Sequence, residues 1–202
     1  MKRFIDSTLG AVAAVGLLCS LGTGGVAAST KVYVSPVASV VTVGGTFDLL
    51  VNISEVVDLY AFQFDITFDP MVITPTGIDE GAFLQTGGTT IFIPGAIDST
   101  AGAISATAGS LIGPLSGVGG AGTLSTVHFH ALILGVSSVR ISAVSLLDSN
   151  LEDIPAAVVG GTVYVSAVPE PATLSLFGMG LLVLFGAGRR VRGASAISML
   201  AR

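Results

Sequence analysis

Gly117, Gly119 and Gly122 have the spacing G-x-G-x-x-G, which in a dinucleotide site opens a helix whose N-terminus holds a pyrophosphate. The residues that follow, TLSTVHFHALI, are β-branched, aromatic and alternating, and they predict a strand. A strand start lacks the helix dipole, so the run reads as a glycine-rich turn. His128 and His130 are two apart, which on a strand puts both imidazoles on one face. Two histidines are too few for zinc unless carboxylates join them; the plainer reading is two outward rings beside an apolar row. Asp148, Asn150 and Glu152 alternate like the opening of a calcium loop. Asp153 replaces the glycine of its sharp turn, and Val159 stands where the closing glutamate belongs. An acidic turn between strands is favoured, with a loose surface calcium site as the alternative. Asp65, Asp69, Asp79 and Glu80 could supply a glycosidase pair, but acids on strand edges and turns are usually solvated. There is no G-x-S-x-G elbow, and no nucleophile is marked by its surroundings. The sequence predicts no catalytic residue, no cofactor and no enzyme.

The elements that position these residues are strands. From Lys31 to Val165 apolar residues alternate with polar ones, broken by Gly, Ser, Thr and Asp. TFDLLVNI puts Phe47, Leu49, Val51 and Ile53 on one face. AFQFDITF turns Phe62, Phe64, Ile66 and Phe68 inward and leaves Gln63, Asp65 and Thr67 outward. TLSTVHFHALI groups Val127, Phe129, Ala131 and Ile133. KVYVS, TIFI, AISATAG, SSVRISAV and AVVGGTVYV are further strands, while TGGTT and SGVGGAGT read as turns. No stretch carries a helical period. Roughly eight or nine short strands predict an all-β domain of two antiparallel sheets packed face to face.

The two ends of the chain lead to the expectation that this domain works outside the cytoplasm. The chain has 202 residues, a mean hydropathy of +0.88 and 10% charged residues. Between 29 and 167 only Lys31 and Arg140 are basic, against eleven acids, a net charge of about −9 that excludes nucleic-acid binding. The start has the parts of a secretory signal: Lys2 and Arg3, an apolar stretch Leu9 to Leu21, and VAA before Ser29. Cleavage after Ala28 would remove the single cysteine, Cys19. At the other end VPEP precedes a 17-residue apolar run, Ala172 to Gly188, about 25 Å of helix against a hydrocarbon core of roughly 30 Å. Arg189, Arg190 and Arg192 follow and would stay cytoplasmic, leaving the body outside. Four glycines weaken that run as a helix, which suits a segment that is recognised and then removed.

Two resemblances extend this reading. VTVGGTFDLLVNI, LYAFQFDITFDPMVI, GAFL, GTLSTVHFHAL, SVRISAVSLLDSNLEDI and GGTVYV, in that order, resemble the cohesin domain. The resemblance implies a nine-stranded antiparallel jelly-roll sandwich that binds a dockerin module through one sheet face. Carried over by position, it implies Gln63 and Asp65 as partner-binding residues, with Ala61 where relatives often have a hydrogen-bonding side chain. VPEP, the apolar run and RRVR resemble the PEP-CTERM sorting signal. That resemblance implies recognition by an exosortase in a Gram-negative bacterium through Pro169, Glu170, Pro171, Arg189, Arg190 and Arg192. The expected organisation is a signal helix over 1–28, the sandwich over 29–167, the sorting signal and hydrophobic helix over 168–192 and a tail over 193–202. The expected function is an exported surface or matrix scaffolding module. The alternative is a carbohydrate-binding module for exopolysaccharide, for which Tyr33, Tyr60 and Tyr164 are the candidate stacking residues, since tryptophan is absent.

Overall fold

The computed structural model describes residues 29–167 and 176–182. The first span is a two-sheet sandwich whose strands, in chain order, are β1 (Lys31–Ser35), β2 (Ala38–Thr42), β3 (Thr46–Leu59), β4 (Ala61–Thr67), β5 (Ile73–Glu80), β6 (Thr90–Ile93), β7 (Ala96–Asp98), β8 (Ala103–Leu111), β9 (Val118–Ala131), β10 (Gly135–Leu147), β11 (Ala157–Val159) and β12 (Gly161–Ser166). Three pairs of these segments are single strands broken once: β1/β2 at Pro36, β6/β7 at Pro94-Gly95 and β11/β12 at Gly160. Proline has no N–H to continue a ladder, which explains the first two breaks. Counted as whole strands, the segments number nine, as the cohesin resemblance implies. One sheet has the order β11-β1-β3-β9-β5; the other runs β2-β12-β10-β4-β8-β6, with β7 also paired to β8.

The pairings are antiparallel except at one edge. There β1 runs parallel to β11, and β2 parallel to β12. The first and last strands thus travel together and change sheets together. Side-chain alternation does the packing: Leu49, Val51 and Ile53 of β3, Phe62, Phe64 and Ile66 of β4, and Val127, Phe129 and Ala131 of β9 are all buried in one core. Phe129 stacks on Phe47 and meets Phe68 edge-on, both at 5.6 Å between ring centroids. Asp69 ends β4 with its carboxylate accepting the Met71 N–H at 2.9 Å, the turn that Asp-Pro favours.

Three sequence expectations are corrected. Ile133 is 50% exposed, because β9 ends at Ala131 and the chain has already turned toward β10. The run SGVGGAGT is not a turn: from Val118 onward it is the opening stretch of β9, laddered to β3 with register shifts. Glycine is needed there for close approach, since a Cβ at Gly117 would sit 2.5 Å from Asp58 backbone and one at Gly122 2.6 Å from the Phe83 ring. The sandwich also holds one helical turn, α1 (Ala82–Gln85), which buries Phe83 and Leu84. Among the described residues no helix is long and apolar enough to cross a membrane. Of the expected span 172–188, only 176–182 is described, and it is helical. The expected signal segment, the Pro169–Pro171 motif, the arginine cluster and the tail lie outside the described residues.

Candidate functional site

Gln63 and Asp65 both project from the outer face of β4, the central strand of the larger sheet. Cross-strand neighbours form two rungs there. Leu147, Ala61, Ser110 and Ile91 make one, and Ser145, Gln63, Ala108 and Ile93 the other, each running from β10 across β4 and β8 to β6. Apart from Gln63 the middle positions are small, and of the outer ones Leu147, Ile91 and Ile93 are aliphatic. The result is a shallow groove of about 240 Å³ with Gln63 as its central polar side chain. Ile91 and Ile93 stand 56% and 54% exposed along one wall. The two walls are three strand spacings apart, about 14 Å, which admits one α-helix of about 10–12 Å diameter.

Asp65 lies at the lower rim of this groove and is partly occupied. Its Oδ1 accepts the Ala106 N–H at 2.8 Å, where Ala106 takes φ 57° in a bulge of β8. On the other side β10 bulges between Ser142 and Ser145, with Ala143 at φ 48°. Bulges bend a strand and raise its twist, so the flat region of the face is bounded at the level of Asp65. Ala61 forms floor rather than a polar contact.

The opposite sheet carries a different constellation. His128 sits between two carboxylates, with Nδ1 2.7 Å from Asp48 Oδ1 and Nε2 3.0 Å from Asp79 Oδ2. The carboxylates that a zinc site would require do join this histidine, but they occupy both of its ring nitrogens. His130 lies one rung on, between Thr46 and Thr74. Among the described residues no group of three or more His, Cys, Asp or Glu side chains could hold a metal ion. Hydrogen bonds to Asp48 and then Asp79 raise the His128 pKa above its ordinary value, because imidazolium donates to both while neutral imidazole donates to one. A raised folded pKa stabilises the fold fully below the unfolded value of about 6.5, and that stabilisation is lost as pH rises through the folded pKa. The acids are well exposed, so the clamp contributes at most about 1 kcal/mol. Thermal melts from pH 6 to pH 9 are expected to show wild type losing stability relative to His128→Ala as the pH rises above about 6.5 and through the raised folded pKa. Parallel curves would remove the clamp.

The acidic loop after β10 is held by its own backbone. Asp148 Oδ1 accepts the N–H groups of Asn150 and Glu152 at 2.8 and 2.9 Å. Next to it Asp58, which no sequence motif marks, joins three elements. Its carboxylate accepts the Gly117 N–H and the Ser149 hydroxyl, each at 2.6 Å, tying the ends of β3, β9 and β10. The Ser149 hydroxyl is the main cause that lowers its pKa. The three tyrosines do not form a stacking platform. Tyr33 lies under Lys31 on the smaller sheet, the Tyr60 hydroxyl donates to the Gly113 carbonyl at 2.7 Å, and Tyr164 stands on β12.

The family model of the cohesin domain matches residues 31–165, two thirds of the chain and the whole sandwich. The chain belongs to the cohesin family. Solved cohesins have the same fold. A non-cellulosomal cohesin from the archaeon Archaeoglobus fulgidus matches with a TM-score of 0.55 at 14% identity, covering 71% of this chain and 95% of that one. The third cohesin ScaC of Acetivibrio cellulolyticus, solved in complex with the ScaB dockerin, matches with a TM-score of 0.56 at 17% identity, covering 68% and 99%. A type II cohesin domain from the cellulosome of the same organism gives 0.55 at 14% identity, covering 67% and 95%. No curated protein matches the sequence. The PEP-CTERM protein-sorting motif matches residues 167–192, directly after the cohesin sandwich. This cohesin therefore carries a signal that implies export and a membrane-anchored stage before exosortase processing. Cohesin domains are non-catalytic scaffolding modules.

Proposed function

We propose that this cohesin is an exported scaffolding module that captures a dockerin-type protein partner in the groove on the β10–β4–β8–β6 face. One observation carries the reading: Ala61, Ser110 and Ala108 floor a channel one helix wide, with Gln63 at its centre. A helix laid in such a channel buries apolar side chains against Ile91, Ile93 and Leu147, and Gln63 fixes its register by hydrogen bonding. Asp65 contributes from the rim through the carboxylate oxygen that does not hold Ala106. Exosortase recognises Pro169, Glu170 and Pro171 with the arginine cluster as a membrane handle, removes the hydrophobic segment and delivers the sandwich to the cell surface or its matrix.

The test is a pull-down from the native secretome with the full chain and with a Gln63→Ala/Asp65→Ala double variant. Removal of a central polar anchor is expected to weaken capture of a protein partner at least about fivefold. Equal affinity of the two chains for the same partner would move the interface elsewhere. Recovery of polysaccharide with no protein would support the carbohydrate-binding alternative.

A further inference from the structure

The connection between β9 and β10 is Leu132-Ile133-Leu134, three consecutive aliphatic residues that are 37%, 50% and 58% exposed. Turns of soluble domains are normally polar, and an exposed apolar run of this kind marks a surface that meets something. The patch does not stop at the turn. Val136, Tyr164 and Val40 are cross-strand neighbours on β10, β12 and β2, and they stand 54%, 46% and 76% exposed on the outer face just above it. The tip lies level with its neighbours at this end of the sandwich: Gly135 pairs with Val165 of β12, and the Leu132 N–H donates to the Val72 carbonyl at 2.8 Å.

What covers the patch follows from where the chain leaves the sandwich. β12 ends at Ser166, and Ala167 lies against Leu132, Ile133 and Leu134 on the same surface. The apolar run of the sorting motif begins five residues later at Ala172. Five residues span at most about 17 Å fully extended. While that run is in the bilayer, this end of the sandwich is held against the lipid headgroups. The charge distribution agrees: Glu55, Asp58, Asp148, Glu152 and Asp153 gather at the opposite end. Near the exit, Asp69 and Asp98 spend a carboxylate oxygen on N–H groups of their own turns.

Building on the membrane-anchored stage of the sorting signal, we propose that the Leu132–Leu134 tip and the Val136–Tyr164–Val40 rung form a foot that inserts into the headgroup–acyl boundary of a lipid surface. The three aliphatic side chains enter the boundary, and Tyr164 sits at headgroup level, where an aromatic with a polar hydroxyl is favoured. The foot has no cation of its own, so its insertion does not depend on anionic lipid. It stands the sandwich on its hairpin, with the groove on an outward side and the acidic end farthest from the membrane.

The full chain, in a Cys19→Ser background and reconstituted in phosphatidylcholine vesicles, tests this with nitroxide labels at Ile133→Cys, Val57→Cys and Leu181→Cys. Position 57 is 86% exposed and lies at the acidic end. Accessibility to oxygen and to a water-soluble nickel reagent is read at each site. The expected result places labels 181 and 133 in the lipid-accessible class and label 57 in water. Label 181 in lipid with label 133 in water overturns the foot and leaves the anchor standing. Label 133 shielded from both reagents overturns it in favour of protein contact, with a second copy or with this chain's own C-terminal segment. Label 181 in water overturns the anchored stage itself, and the foot with it.

Discussion

A chain carrying Ala108→Arg should fold with unchanged thermal stability and lose about a hundredfold in affinity for the partner captured by the wild type. Ala108 points outward from β8 between Gln63 and Ile93, in the floor of the groove. A guanidinium on a three-carbon stem would fill much of the channel and put an unpaired charge under the incoming helix. Losing one central, desolvated contact of this kind costs about 3 kcal/mol, or two decades in affinity. Outward substitutions that leave the core untouched change stability by no more than about 0.5 kcal/mol. Titration calorimetry against the purified partner, beside a thermal melt, checks both halves. Undiminished binding would exclude this face, whatever happens at Gln63.

The second large effect is on the fold. Phe129→Ala should lower the unfolding free energy by about 3–5 kcal/mol in a urea titration. The ring is 1% exposed and lies between Phe47, its neighbour on β3, and Phe68, which follows β4 in the other sheet. Deleting it opens a cavity at the one place where three rings join the two layers. Domains of this size are stable by only about 5–15 kcal/mol, and no cysteine in the sandwich supplies a cross-link. A loss below about 1.5 kcal/mol would mean that Phe47 and Phe68 collapse into the space.

Those aromatic positions were legible because the strands carrying them keep strict alternation with one face wet. The same rule misplaced Ile133, where apolar spacing runs on past the end of β9. β5 is not among the strands predicted from alternation; it contains Pro75 and Gly77, which the strand absorbs in a register shift opposite β9. The glycine run was misjudged because residues without side chains have no faces to alternate. The groove could not be seen in the sequence at all. Its floor is alanine and serine drawn from three strands, and such residues declare nothing until the ladder sets them side by side. The His128 clamp joins residues 80 and 49 positions apart, a distance no local pattern spans.

The parallel course of the terminal strands also has a mechanical meaning. β12, from which the C-terminal tether departs, is not an edge strand: it lies between β10 and β2, with five register pairs on each side. Tension applied through the chain beyond Ser166 while the C-terminal segment is still anchored would pull β12 along its own axis. Both ladders are then sheared as a whole, so their hydrogen bonds share the force and must break together instead of in succession. A scaffold fastened this way resists being unravelled from the end by which it is held.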